Sequence, residues 1–322
     1  MNENIKVGEF SMPSVGLGLW KINNSATANI VKGAIKTGYR HLDSAADYGN
    51  EKEVGIGISD AISNGYCLRK DLWITSKLWN TFHSRKHVRT ACERSLVDLG
   101  LDYLDLYLIH FPISLEYVPF HHNYPPGWTS GKEEKMRINP VPLSETWYGM
   151  EELVELGLVK NIGICNYSTA LLNDLMSYAK IKPAMLQIES HPYLTQENLI
   201  RQAKDYNIAV TAFSPLGSLS YVSLNMAKRA DSILSLSEVL AISKEVGKTP
   251  AQVVLRWGLQ RETAVIPKTV QPSRLKENIS LFDFNLNDEQ MDSISALNCN
   301  LRFNDPAKFC ENSFGKFYSI YD

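Results

Sequence analysis

The sequence predicts an α/β fold in which the chain closes into a single (β/α)8 TIM barrel. Eight short apolar runs alternate with helix-like stretches along the whole length, the pattern of parallel strands joined by crossover helices. The runs are nearly continuous in Val, Ile and Leu, which suits strands buried on both faces. The 322 residues show no break in composition, and one such barrel takes about 250 residues plus insertions. Residues 1–322 therefore read as one domain.

In chain order the strand-like runs are 14–19, 40–43, 72–77, 104–110, 160–165, 185–189, 209–213 and 264–267. Helical spacing fills the intervals, as in Val88, Cys92, Leu96 and Leu99. Thr249-Pro250-Ala251-Gln252 combines an N-cap, a proline in the first turn and a capping-box Gln, and Asn287-Asp288-Glu289-Gln290 repeats the box. Gly38, Gly65, Gly100, Gly157 and Gly247 fall just past helical stretches, where a left-handed residue is wanted. Two segments exceed the plan. Residues 111–140, after the fourth strand, are rich in Pro, Gly, Tyr and His and read as a functional loop. Residues 298–322 form a tail expected over the barrel mouth. A doubly wound dinucleotide sheet is the runner-up, but it needs G-x-G-x-x-G between strand and helix. Gly16-Leu17-Gly18 supplies only two glycines, and Gly55-Ile56-Gly57 lies in a helical stretch.

Lys and Arg number 33 against 35 Asp and Glu, a net charge of −2. No basic run is present, so nucleic acid and anionic membrane are poor partners. No apolar stretch approaches the roughly 18 residues of a membrane span, and Met1-Asn2-Glu3-Asn4 lacks the character of a secretory signal. Five scattered cysteines (Cys67, Cys92, Cys165, Cys299, Cys310) contain no C-x-x-C pair. They suit free thiols in a reducing cytoplasm rather than a disulfide framework or zinc site. The adjacent His121 and His122 lie in the long loop and read as a solvated pair, so no metal is expected.

In a barrel of parallel strands the catalytic groups stand at the C-terminal strand ends. Asp43 ends the second predicted strand, with Tyr48 in the loop beyond it. Lys77 ends the third and His110 the fourth. Together the four suit protonation of a carbonyl oxygen. A tyrosine hydroxyl, with a pKa of about 10, is a weak acid near neutrality. A neighbouring ammonium favours the phenolate and lowers that pKa, while a carboxylate keeps the lysine in place. A neutral histidine can hydrogen-bond the substrate oxygen as hydride reaches carbon.

Gly38-Tyr39-Arg40-His41-Leu42-Asp43-Ser44-Ala45-Ala46-Asp47-Tyr48-Gly49-Asn50-Glu51 resembles the first signature of the aldo-keto reductases. Ile74-Thr75-Ser76-Lys77-Leu78-Trp79-Asn80 and Leu108-Ile109-His110-Phe111-Pro112 resemble that family's lysine and histidine strands. The resemblance covers nearly the whole chain. It implies Tyr48 as proton donor, Lys77 and Asp43 as its tuning pair, and His110 as the residue orienting the carbonyl.

The segment from Ile266 to Asn278 resembles the family's site for the adenosine 2′-phosphate. It implies NADPH as cofactor, with NADH a weaker alternative. Lys268, Thr269, Val270 and Arg274 would hold the phosphate end, and Glu277 and Asn278 would touch adenine. A helix N-terminus beside two cations suits an anion on physical grounds too. By the same resemblance Asn166 and Gln187 hold the nicotinamide carboxamide and Phe213 stacks on its ring. Ser214, Leu216 and the loop to about residue 235 would close over the pyrophosphate. Cys165, a weaker hydrogen-bond donor, stands where the family usually has Ser.

Within the family the long loop and the tail Leu301-Arg302-Phe303-Asn304-Asp305-Pro306 resemble the yeast-type xylose (aldose) reductases. That implies a sugar or aldehyde pocket lined by Trp20, Asp47, Phe111, Trp128 and Asn304, in a monomer or homodimer. Two rivals remain. One is a reductase of sugar phosphates or general aldehydes, with Arg302 and Lys308 as candidate phosphate cations. The other is an NADPH-binding regulatory subunit on the same barrel.

Overall fold

A computed structural model describes residues 3–130 and 135–321. Residues 131–134 of the long loop, the first two residues and the last residue of the tail lie outside the described residues.

The chain begins with an antiparallel hairpin, β1 (Asn4–Val7) and β2 (Phe10–Pro13), turning at Gly8-Glu9. The sequence reading did not include it. Eight parallel strands follow: β3 (Leu17–Gly18), β4 (His41–Asp43), β5 (Trp73–Leu78), β6 (Leu106–Ile109), β7 (Ile162–Cys165), β8 (Met185–Glu189), β9 (Ala209–Phe213) and β10 (Thr263–Val265). Each pairs with the next in sequence order. A parallel bridge between Val15 and Val265, with the Gly16 N–H donating to the Val265 carbonyl at 2.9 Å, joins the first strand to the last and closes the barrel. Gly18 is required at that seam, because a Cβ there would lie 2.7 Å from the Ile266 carbonyl oxygen.

The expected capping chemistry is present. The Thr249 hydroxyl accepts from the Gln252 N–H at 3.2 Å and the Gln252 side chain accepts from the Thr249 N–H at 3.1 Å, opening the helix Pro250–Gln260. Asn287 and Gln290 form the same reciprocal pair. Such a cap contributes about 1 kcal/mol. Gly247 ends the preceding helix Ser237–Val246 at φ 65, a conformation that lets the chain reach Thr249 within two residues.

The hairpin buries Val7 and Met12 against Trp73, Leu106, Met185 and Ala264. Trp73, Leu106 and Met185 stand at the N-terminal ends of their strands, so β1 and β2 form the barrel floor. The opposite end is built by the strand C-termini, the long loop and the tail. The long loop folds back on itself through an antiparallel bridge between Leu115 and Ile138. It is tied to the barrel by the Trp79 indole N–H donating to the Gly127 carbonyl at 3.1 Å, and to the tail by the Met136 N–H donating to Ser313 O at 2.9 Å. His121 and His122 are exposed in this loop. All five cysteines are free thiols, with only Cys299 exposed. Among the described residues no helix is long and apolar enough to cross a membrane, and no cluster of His, Cys, Asp and Glu could hold a metal ion.

Candidate active site

A cavity of 920 Å³ opens at the C-terminal end of the barrel, near the upper end of the range for small-molecule sites. At its base lies the predicted quartet. Asp43 ends β4 as expected, but β5 runs one residue past Lys77 and β6 stops one residue before His110. Tyr48 sits in a 3-10 turn, Ala46–Tyr48, that carries its ring back over the strand ends. The Lys77 ammonium, with no solvent exposure, donates to Asp43 Oδ1 at 2.5 Å, to the Ser44 carbonyl at 2.8 Å and to the Tyr48 hydroxyl at 3.2 Å. His110 lies edge-on to Tyr48 with ring centroids 5.9 Å apart. Its Nδ1 is 3.1 Å from Asp47 Oδ1, but neither atom has the alignment of a hydrogen bond.

One electrostatic expectation is corrected. Burial, then the Asp43 and Asp47 carboxylates, push the Tyr48 hydroxyl well above its usual value instead of below it. The cause is geometric: Asp43 lies tight against Lys77 and offsets its charge, so desolvation of the phenolate prevails. The shift favours the protonated form of Tyr48.

The next layer concerns two amides. Gln187 Nε2 donates to Asp43 Oδ2 at 2.6 Å. Asn166 Nδ2 donates to the His110 carbonyl at 2.8 Å and to Cys165 Sγ at 3.2 Å. The donors of each side chain are thus directed into the protein, leaving lone pairs on Asn166 Oδ1 and Gln187 Oε1. A carboxamide NH2, with two N–H groups to give, fits such a pair of acceptors. The Cys165 thiol is buried, which pushes its pKa up, and its only contact with Gln187 Oε1 is 3.9 Å long. It supplies none of the strong donation that a serine would give.

Along the cavity, Phe213 ends β9 and Ser214 shares a 2.7 Å hydrogen bond with the Tyr221 hydroxyl. Leu216 lines the wall at the head of short 3-10 turns between Gly217 and Ser235. Lys268, Thr269 and Arg274 line the far end around the start of the helix Pro272–Ile279, and Glu277 and Asn278 line it from that helix's last turn. Burial pushes the Lys268 ammonium down, with no carboxylate opposing it. The nearby Lys21 ammonium is lowered by burial and by the charge of Lys268. Two like charges at the same end of a cavity suit an anion between them. The residues present therefore fit a nicotinamide dinucleotide bearing an extra phosphate. Val270 is 44% exposed and lies outside the cavity lining, unlike its predicted companions. Lys77 also lies outside the lining, behind Tyr48.

Trp20, Asp47, Phe111, Trp128 and Asn304 all line the cavity at the quartet's end. Trp128 packs edge-on against Trp79, Phe111 and Phe309. Asn304 is held by its backbone: buried Glu189, which ends β8, accepts from the Phe303 N–H through Oε1 and the Asn304 N–H through Oε2, each at 2.9 Å. His191 Nε2 contacts the same carboxylate at 3.0 Å.

The sequence reading missed Lys21, Glu189, Tyr221 and Phe309. Lys21 follows Trp20 directly and has φ 60. Its ammonium donates to Ser220 O at 2.8 Å and Ser223 Oγ at 2.6 Å, pinning the 217–235 segment. Its position beside a strand-end residue was a usable signal. Tyr221 lies between two 3-10 turns and Phe309 ends the four-residue helix Pro306–Phe309, elements too short to carry a periodic signal.

A sequence profile of the aldo/keto reductase family matches residues 11–299. An NAD(P)H-dependent D-xylose reductase of Candida tropicalis is 50% identical over 300 residues, covering 92% of each chain. An NADPH-dependent D-xylose reductase of Meyerozyma guilliermondii is 48% identical, covering 92% of this chain and 94% of its own. The aldose reductase structure from Schistosoma japonicum superposes with a TM-score of 0.83 at 38% identity, over 96% of this chain and 95% of that one. With the barrel, the quartet and these matches in agreement, the chain belongs to the aldo/keto reductase family.

Proposed function

We propose that this protein reduces the aldehyde of open-chain aldoses to the alcohol, with D-xylose to xylitol as the first reaction to test. When bound, NADPH supplies the hydride. The chain's own groups handle the proton. The Tyr48 hydroxyl donates it to the carbonyl oxygen, the Lys77 ammonium stabilises the phenolate left behind, and Asp43 holds that ammonium in place. His110 borders the same end of the cavity and can orient the carbonyl. The reading rests above all on the Tyr48 hydroxyl, 3.2 Å from Lys77 Nζ, in a cavity shared with His110, Asp47 and Asn304. Polar side chains among aromatic walls favour a hydroxylated substrate, since an analogue lacking the hydroxyl leaves them unpaired.

The choice against a sugar phosphate rests on the candidate cations. The Arg302 guanidinium is stacked 3.6 Å over the Tyr321 ring, and Lys308 lies 3.4 Å from Asp305. The test compares kcat/KM for xylose, mannose 6-phosphate and an aromatic aldehyde, followed by NADPH oxidation. A preference for the phosphate would overturn the sugar assignment. No oxidation with any of them would leave an NADPH-binding regulatory protein.

A further inference from the structure

Asn166 directly follows the C-terminal end of β7 and is buried, and its side-chain oxygen is engaged from the far end of the sequence. The Tyr321 hydroxyl, 155 residues away, donates to Asn166 Oδ1 at 2.9 Å. The ring that carries this hydroxyl is clamped from its other face by Arg302, whose guanidinium carbon lies 3.6 Å from the ring centroid. Arg302 immediately precedes Phe303 and Asn304, whose N–H groups Glu189 holds. The tail thus leaves the barrel at Arg302, packs Phe309 and Phe314 against Trp128, and returns to its own start through Tyr321. Both ends of this loop meet the site: Asn304 on the sugar side, Tyr321 on the amide side. Tyr321 lies beyond residues 11–299, the span matched by the family profile, so the contact is made by a part of the chain outside that shared span.

We propose that Tyr321 is a positioning residue for the coenzyme amide: its hydroxyl fixes the side-chain orientation of Asn166. This rests on the reading of Asn166 as a nicotinamide carboxamide contact. An asparagine amide has two nearly isosteric orientations, distinguished only by its hydrogen bonds. The His110 carbonyl and Cys165 sulfur require Nδ2 on one side, and Tyr321 requires an acceptor on the other. With Tyr321 present both demands agree, and Oδ1 keeps a second lone pair for a carboxamide N–H. Without the hydroxyl only the acceptors remain to hold the amide, one of them a weakly accepting sulfur. An amide held on one side only is less firmly ordered before the coenzyme arrives, so more freedom is lost on binding.

The experiment is Tyr321→Phe, which removes the hydroxyl and keeps the ring under Arg302. Coenzyme dissociation constants are read by quenching of intrinsic fluorescence, and KM for xylose is measured at saturating NADPH. Loss of one neutral hydrogen bond should raise the constants for NADPH and NADH by a common factor of about three to ten, since both carry the carboxamide. KM for xylose should stay within about twofold, because Asn304 remains anchored to Glu189. Unchanged coenzyme constants would overturn the proposal. So would a xylose KM that rises in step with them, since that marks general loosening of the tail. A loss confined to NADPH would also overturn it, placing the effect at the phosphate end. Failure of the unsubstituted protein to bind either coenzyme would instead refute the reductase reading itself.

Discussion

Asp43→Asn tests the central electrostatic claim, because one carboxylate holds both Lys77 and the Gln187 amide, the proposed partners of the acid and of the coenzyme. In the native protein its two oxygens accept from Lys77 Nζ at 2.5 Å and Gln187 Nε2 at 2.6 Å, and both donors' side chains are buried. Asparagine keeps the shape and one acceptor but removes the charge. The Lys77 ammonium then has only neutral acceptors, with the Ser44 carbonyl and the Tyr48 hydroxyl among them, and no counter-charge. Removing one member of a buried ion pair costs about 3–5 kcal/mol, which for a chain of this length lowers Tm by about 4–7 °C. The pH profile gives a second, signed readout. Asp43 is one of the two carboxylates that push the Tyr48 hydroxyl up, and it also offsets the opposing charge of Lys77. These are one Coulombic effect seen two ways, and removing that negative charge lets the Tyr48 pKa fall. With Tyr48 as the proposed acid, active only when protonated, the alkaline limb of kcat/KM for reduction should move to lower pH. Thermal unfolding and a pH–rate series on the same preparation measure both. An unchanged Tm, or an alkaline limb moved to higher pH, would refute the reasoning.

Lys268→Ala should weaken NADPH by a factor on the order of ten to a hundred while leaving NADH nearly unchanged, since charge-assisted bonds contribute about 1.5–3 kcal/mol; equal losses in paired titrations would assign the lysine to the fold or to the pyrophosphate. Asn304→Ala should lower kcat/KM for xylose by close to tenfold more than for an aldehyde lacking the adjacent hydroxyl, and equal losses would remove Asn304 from sugar recognition. Glu51, buried and accepting from Ser76 Oγ at 2.6 Å and Ser95 Oγ at 2.9 Å, has its carboxyl raised by burial from 4.5 to about 7. A raised acid contributes stability that is fully present below pH 4.5 and is lost as pH rises through 7, about 3 kcal/mol in all. The Tm of Glu51→Gln relative to the native protein should therefore climb between pH 5 and 8, and a flat difference would refute the assignment.

Much of this was legible because barrel strands announce themselves locally. Runs such as Met185–Glu189 and Ala209–Phe213 need only short-range apolar continuity, and their observed bounds coincide with the predicted ones. Asp43, Lys77 and His110 were placed at the mouth by strand direction alone, within a residue of each strand end. The first strand was harder: Leu17–Gly18 is shorter than the predicted 14–19, because Val15 and Gly16 contribute to the closing seam rather than to the ladder with β4. The β1–β2 hairpin escaped notice although Gly8 marks its turn, since two four-residue strands carry too short an alternation. The direction of the Tyr48 shift was unreadable, because it depends on the depth of burial and on how tightly Asp43 sits against Lys77, neither of which spacing encodes. Glu189 clamping the tail and Tyr321 reaching Asn166 join residues more than a hundred positions apart. No local pattern carries such a contact.

The hairpin under the barrel has a consequence for traffic. With Val7 and Met12 packed beneath the strands and Lys77 wholly shielded from water, the opening from which Tyr48 is reached among the described residues is the cavity at the upper mouth. Sugar, coenzyme and the proton that restores the tyrosine after each turnover would all use the same doorway. Recharging the acid would then wait on departures, and a bulky alcohol slow to leave would delay reprotonation as well as the next arrival.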